Sequence, residues 1–299
     1  MDDWTPARIP DLTGRVAVVT GANSGIGFVT ALELARHSAR VVAAGRNDER
    51  GQAAVAEMRA QVPGARVDWA TLDLGDLASV RAFAAAFTGD HRHLDLLVNN
   101  AGIALAGHGR LANGFERQFG VNHLGHFALT GLLLPSLLTR PGARVVTVSS
   151  DAHERAHLDI DDLQSERNYG RARAYGRSKL ANLLFAFELH RRAVATGADL
   201  RSVAVHPGAT ATNIANGNSP LLTAVTWVMA RFMRPATAGA VPSLYAAAAD
   251  DVAGGDYLVP GPKDSTPVQR RAAPQAYDQA DAVRLWDVSE RLTGVAVAI

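Results

Sequence analysis

The chain predicts an α/β fold: one doubly wound domain in which a parallel sheet of about seven strands carries helices on both faces. Three observations predict it. Short runs rich in Val and Ala alternate with longer stretches of helical periodicity. The runs are apolar at nearly every position rather than every second one, as strands buried on both faces must be. A glycine cluster stops the first run, where such a strand turns into a helix.

The elements follow in order. "RVAVVT" (15–20) has no charge after Arg15 and ends at once in glycine, which reads as a buried strand. A helical pattern covers 25–37, "ARVVAAG" (39–45) is the second strand, and a second helix runs from Asp48 to Gln61. Further strands are "ARVDWATLD" (65–73), "LDLLVNN" (94–100), "ARVVTVSS" (143–150) and "LRSVAVHPG" (200–208), each separated by helical periodicity. In such a sheet the crossovers are right-handed and ligands sit at the carboxyl ends of the strands. No Gly/Ser or Pro-rich linker divides the chain, and no repeat of fixed period is present. The domain core runs from about 14 to 260, with an extension from 261 to 299. Within the extension "DAVRLWDVSERLTG" (281–294) is amphipathic, and Val283, Leu285, Trp286, Val288 and Leu292 are predicted to pack back on the domain.

Composition narrows the chemistry. With 299 residues, 47% of them hydrophobic, the chain can bury a core, and its formal charge of +1 with no long basic block argues against nucleic acid as a partner. It contains no cysteine, which removes disulfides, thiolate metal sites and cysteine nucleophiles. The amino-terminal "MDDWTPARIPDL" is acidic and polar where a signal peptide is basic and then apolar, so cytoplasmic residence is the expectation. No apolar run approaches the roughly 18 residues of a membrane span.

Six features carry chemistry. "TGANSGIG" (20–27) places glycines at 21, 25 and 27 between a strand and a helix, where backbone N–H groups and a helix N-terminus can receive a pyrophosphate. A tight, closely packed turn needs the same residues. About 20 residues on, where a dinucleotide fold inspects the adenosine ribose, stand Gly45 and Arg46 in place of an acid. A guanidinium there pairs with a 2′-phosphate, favouring NADP over NAD, although an exposed loop arginine is the plainer account. Tyr175 and Lys179 lie one helical turn apart. Tyrosine has a reference pKa of about 10, and a cation within reach lowers it by roughly 1 to 3 units, so Lys179 can turn Tyr175 into an acid–base group. Taken alone, the pair also fits a solvated helix face. Ser149 and Ser150 end a strand where a hydroxyl can meet a carbonyl oxygen, "LVNNAG" (97–102) ends another, and Asn122 interrupts an apolar helix.

Together these residues resemble the short-chain dehydrogenase/reductase family, from about Gly14 to Pro260, and within it the retinol-dehydrogenase-like and protochlorophyllide-reductase-like branch. The resemblance implies a single Rossmann-type domain that binds NADP(H) in preference to NAD(H) and moves a hydride between cofactor and a carbonyl or alcohol. It implies that Tyr175 is the general acid or base, that Lys179 lowers its pKa and holds the nicotinamide ribose, that Ser150 rather than Ser149 bonds the reacting oxygen, and that Asn122 holds a water. For the cofactor it implies contacts from Gly21, Asn23, Ser24, Gly25, Ile26 and Gly27, from Arg46 and Asn47 at the phosphate, from Asp73 and Leu74 at the adenine, and from Asn99, Ala101 and Gly102 along the cleft. Pro207, Gly208, Thr210 and Thr212 would meet the nicotinamide. Two departures stand out: Ser24 holds the place where many NADP users are basic, and the cysteine of the pigment-reducing relatives is missing.

The apolar "SPLLTAVTWVMARFM" (219–233) suits a substrate lid, hence a lipophilic substrate, or an ordinary core helix. His153, His157, Asp159, Asp161 and Asp162 could be imagined as a metal cluster, but the chemistry above requires no metal. A homo-oligomer through the helices bearing Asn122 and Tyr175 is open by resemblance. The rival reading is a dinucleotide sensor or scaffold on the same fold without turnover. An isomerase working by transient oxidation is disfavoured by the short extension.

Overall fold

In the computed structural model, which describes residues 3–208, 234–262 and 265–299, the first strand sets the pattern for the rest. All five residues of Val16–Thr20 (β1) are buried. Ala17 and Val19 enter the apolar cluster on one face of the sheet, Val16 and Val18 the cluster on the other. Alternate side chains of a strand point to opposite faces, so a strand covered on both sides must be apolar throughout. The same split recurs at Val41 and Ala43 against Val42 and Ala44 in Arg40–Gly45 (β2). It recurs again at Val146 and Val148 against Ala143 and Val145 in Ala143–Val148 (β5).

The sheet has eight strands in the order β3-β2-β1-β4-β5-β6-β7-β8. Val67–Thr71 (β3), Leu96–Asn99 (β4), Leu200–Val205 (β6) and Tyr257–Val259 (β7) complete the parallel set. Val268–Gln269 (β8) pairs antiparallel with β7 and adds the eighth strand to the seven expected. The chain reverses its strand order between β1 and β4, and the crevice at that switch point is where a doubly wound sheet receives ligands. At the other edge, Asp68 and Thr71 of β3 are exposed, one on each face, as an edge strand covered by helices along only part of its length permits.

Gly25–Arg36 (α1) and Asp48–Gln61 (α2) cover one face. Ala236–Ala248 (α7) joins them there, sharing the apolar cluster of α1. Leu77–Asp90 (α3), Gly125–Leu138 (α5) and Arg171–Thr196 (α6) cover the other. A short turn, Arg117–Phe119 (α4), leads through a π turn at Gly120–Leu124 into α5. The continuous stretch Arg117–Leu138 is long and apolar enough to cross a membrane by composition, but it lies mostly buried in this fold, as a core helix does.

Gln279–Thr293 (α8) packs back on α6 as predicted, with Leu285, Val288 and Leu292 in one apolar cluster and Trp286 buried in the cluster beneath the sheet. Val283 is the exception and faces solvent. Trp286 stands edge-on to Phe127 at 5.3 Å and is covered by the Arg192 guanidinium at 4.3 Å, so the extension is sealed onto α5 and α6.

Candidate active site

The glycine turn is shaped by the backbone. Gly21 and Gly25 have φ of 68° and 57°, a region that side-chain-bearing residues avoid. Gly27 is required by proximity: a Cβ would lie 2.4 Å from the Gly21 carbonyl oxygen and 2.5 Å from the Asn100 amide nitrogen. Packing alone therefore explains Gly27. The N-cap of α1, Ser24, makes no side-chain cap, so the first turn of α1 offers N–H groups at the switch-point crevice. Asn23 is half-buried beside Gly45, and Ile26 is buried.

Thr20 joins the turn to β4. Its hydroxyl accepts the N–H groups of Asn100 and Ala101, both at 2.9 Å, while the Asn100 amide donates to the Thr20 carbonyl at 2.7 Å. His126 meets the same hydroxyl through Nε2 at 2.9 Å and the Asn122 carbonyl through Nδ1 at 3.0 Å. Burial pushes His126 down to about 4, helped by the Lys179 charge and opposed by the Asn122 carbonyl, so the ring is neutral. Sequence reasoning placed Thr20 and Asn100 within motifs without giving them this link, and it passed over His126. Only a polar residue recurring in an apolar helix signalled the last.

Along the rest of the cleft the predicted residues divide. Gly102 packs beside Lys179 and Asn122: a Cβ there would be 3.6 Å from Nζ and 3.3 Å from Oδ1. Ala101 lies against Gly21, and Leu74 is buried behind Asp73, whose carboxylate accepts the Gly75 N–H. The Asn99 amide turns instead toward α5 and donates to Thr130 at 3.0 Å. Asn47 is engaged as the N-cap of α2, accepting the Arg50 N–H at 2.8 Å. Arg46 is exposed at the end of β2 and forms no ion pair or hydrogen bond among the described residues. Pro207 is buried and Gly208 has φ of 78°, while Thr210, Thr212 and the apolar stretch 219–233 lie outside the described residues.

Tyr175, Lys179 and Ser150 converge at the carboxyl end of β5. The Ser149 hydroxyl turns back into the core to donate to the Lys179 carbonyl at 2.8 Å. The Ser150 hydroxyl caps the turn that follows, accepting the Ala152 N–H at 3.2 Å and donating to Asp151 at 3.0 Å, and it lies near enough to Tyr175 to favour the ionised phenol. Lys179 is buried, its Nζ donating to the Val148 carbonyl at 2.9 Å and lying 5.8 Å from the Tyr175 ring centroid. Burial without a counter-charge lowers Lys179 to about 8.

Tyr175 itself behaves otherwise than its spacing predicts. Burial raises the phenol, the Ser150 hydroxyl opposes this, and the Asp151 charge adds to the rise. The ammonium, 5.8 Å from the ring centroid and bonded to the Val148 carbonyl, does not reverse it. The Asn122 side chain is fully engaged by protein groups: Oδ1 accepts the Ile103 N–H at 2.8 Å, and Nδ2 donates to the Ile103 carbonyl and the Ser178 hydroxyl, both at 2.9 Å. Ser178 in turn donates to the Tyr175 carbonyl at 2.8 Å, so Asn122 ties the loop after β4 to the helix bearing Tyr175.

The polar segment between Ser150 and Tyr175 is pinned to that same loop. Tyr169 donates to the Ala106 carbonyl at 2.8 Å, Gln164 accepts the Glu116 N–H at 2.7 Å, and Arg110 pairs with Glu166 at 2.6 Å. Its acids serve the backbone: Asp159 accepts the Asp161 N–H and Asp162 the Glu166 N–H. Among the described residues no three His or acidic side chains gather as a metal group.

A glycine turn at the switch point and a Ser–Tyr–Lys group at the end of β5 thus lie at the same edge of a doubly wound sheet, the arrangement of a Rossmann-type oxidoreductase family. Residues 15–220 match the short chain dehydrogenase family, and the chain belongs to that family. It falls on the retinol-dehydrogenase-like side of it, being 42% identical to retinol dehydrogenase 12 of Mus musculus over 97% of this chain and 89% of that protein. A crystal structure of an uncharacterized protein from Mycobacterium Paratuberculosis superposes with a TM-score of 0.82 at 40% identity, covering 99% of this chain and 100% of that one. The Pseudomonas aeruginosa RhlG/NADP active-site complex does so with a TM-score of 0.66 at 25% identity, over 83% of this chain and 95% of that one.

Proposed function

We propose that this chain is an NADP(H)-dependent oxidoreductase that moves a hydride between the nicotinamide and a lipophilic carbonyl or alcohol, with Tyr175 transferring the proton. The observation that carries the reading is the convergence of Ser150, Tyr175 and Lys179 at the end of β5, with Ser149 turned away. The residues present fit the cofactor: Gly21 and Gly25 at positive φ and the uncapped α1 suit a pyrophosphate, and Arg46 stands free for a 2′-phosphate. When bound, the cofactor supplies the hydride.

The chain's own residues supply the proton. A phenol whose pKa is raised by burial stays protonated, which suits the reductive direction, where it gives its proton to the developing alkoxide. The Ser150 hydroxyl, turned from Asp151 to the substrate oxygen, would stabilise the same charge. Once Tyr175 has given up its proton, Lys179 one turn away is the cation on its helix face. The loop after β4 and the segment before Tyr175, tied together by Tyr169 and Gln164, hold one wall of the crevice. Likeness to a retinol dehydrogenase supports a long apolar substrate.

The test is Tyr175→Phe, assayed by NADPH oxidation with retinal and with decanal. Turnover is expected to fall by about 10²- to 10⁴-fold while NADPH binding, read by fluorescence, is kept. A variant of unchanged activity would sink the mechanism. A wild type that binds NADPH yet turns over neither aldehyde would favour the sensor reading.

A further inference from the structure

His153 belongs to no step above, yet it is fully buried and both its ring nitrogens are engaged. Nδ1 lies 2.6 Å from the Ser150 carbonyl, which also accepts the His153 N–H at 3.1 Å. Nε2 accepts the Ala273 N–H at 3.2 Å. A backbone N–H can only donate, so Nε2 is the bare nitrogen and Nδ1 carries the proton that it donates to Ser150. Two backbone groups thus require the same tautomer, the Ser150 carbonyl beside the ring and the Ala273 N–H of the extension, 120 residues along the chain.

The extension grips this turn in other ways. The Gln275 amide donates to the carbonyls of His153, Glu154 and Ala156 at 3.2, 3.1 and 3.0 Å, and Arg270 pairs with Glu154 at 3.1 Å. Tyr257 of β7 meets the imidazole edge-on at 5.5 Å. A lone neutral imidazole could hold its proton on either nitrogen, and the other tautomer would set a lone pair against the Ser150 carbonyl.

We propose that His153 is a positioning residue that makes the carboxyl-terminal extension part of the catalytic site. The Ala273 N–H and the Ser150 carbonyl clamp the ring in its Nδ1–H tautomer from both sides, and the ring so held fixes the Ser150 backbone so that the hydroxyl faces Tyr175. The proposal rests on the role given to Ser150 above.

Ala273→Pro breaks the link: Ala273 has φ of −60° and ψ of 148°, which proline adopts, and the substitution both removes the donor and sets a ring carbon against the Nε2 edge of the imidazole. In NADPH oxidation with retinal or decanal, kcat is expected to fall by about tenfold, with NADPH affinity unchanged. His153→Leu should fall as far, whereas His153→Asn, whose amide can still reach the Ser150 carbonyl, should recover most of the loss. Long-range ¹⁵N–¹H spectra, with His153→Asn assigning the signal, should show a protonated Nδ1 and bare Nε2 in the wild type. A protonated Nε2, a kcat within twofold of wild type in Ala273→Pro, or an Asn variant no better than Leu would each overturn the proposal. If Tyr175→Phe is inactive while Ala273→Pro is not, this inference alone falls; if Tyr175→Phe is active, the reading of the reaction falls.

Discussion

The two ends of the sheet treat charge in opposite ways. At the amino end, the buried carboxylate of Asp95 accepts the Val16 N–H at 2.8 Å and meets Arg15 at 2.7 Å, Arg140 at 3.1 Å and His93 at 3.3 Å. At the carboxyl end, Lys179 is equally buried and has one backbone carbonyl, while Arg46 has no partner among the described residues. A buried charge is tolerated only when it is answered, so an unanswered one has a reason outside folding. The contrast separates the end of the molecule that holds the fold together from the end built for a ligand.

Removing the charge should therefore have opposite consequences at the two ends. Lys179→Met is expected to cut turnover by about a hundredfold or more while raising stability at pH 7 by about 1 to 3 kcal/mol, since an apolar side chain replaces an unpaired buried cation. Lys179 is lowered from 10.5 to about 8 in the folded chain, so between those values the unfolded state holds more protons and stability rises with pH. The advantage of the methionine should be full below pH 8 and fade toward pH 10. Urea melts at pH 7 and 9.5 check this. A destabilised variant at pH 7 would place Lys179 with Asp95 as a structural charge.

Much of this division was legible in the sequence, because the strands at the middle of the sheet are apolar on both faces and end in small or polar residues. The weakest strand was not: Val268–Gln269 is two residues long and exposed, so no hydrophobic pattern announces it. Neither was the π turn at Gly120–Leu124, which depends on which carbonyls are free rather than on residue type. Ser150, Tyr175 and Lys179 were readable from spacing and family likeness. Their environment was not: burial lifts Tyr175, Asn99 turns under the sheet to Thr130, Asn47 caps a helix, and His153 answers to a residue in the extension. Each of these depends on contacts between distant segments.

At the amino end, Asp95→Asn is expected to destabilise the fold by about 2 kcal/mol, less than a fully buried pair would, since Arg15 and Arg140 are 45% and 40% exposed. Burial alone would raise the Asp95 pKa, but the Val16 N–H and the two guanidinium groups outweigh it and leave it below the ordinary 3.8. A carboxyl lowered on folding contributes stability that is full above its unfolded value and disappears as pH falls through the folded one. Acid unfolding below about pH 4 should accordingly be shallower in the variant. Turnover at pH 7 should stay within twofold of wild type, and a larger loss would mean that the two ends are coupled.

The smallest effect belongs to Arg46, and it distinguishes the two kinds of unanswered charge. Lys179 is buried, so its isolation has a cost; Arg46 is exposed, so water satisfies it and its freedom alone proves little. A guanidinium that pairs with a 2′-phosphate should discriminate between ligands that differ only there. Arg46→Ala is expected to weaken NADPH and 2′,5′-ADP by about tenfold while leaving NADH and 5′-ADP unchanged, with no shift in melting temperature. Isothermal titration with the four ligands measures this. Equal losses for all four would assign Arg46 to general attraction of a polyanion, and no loss would return it to a solvated loop.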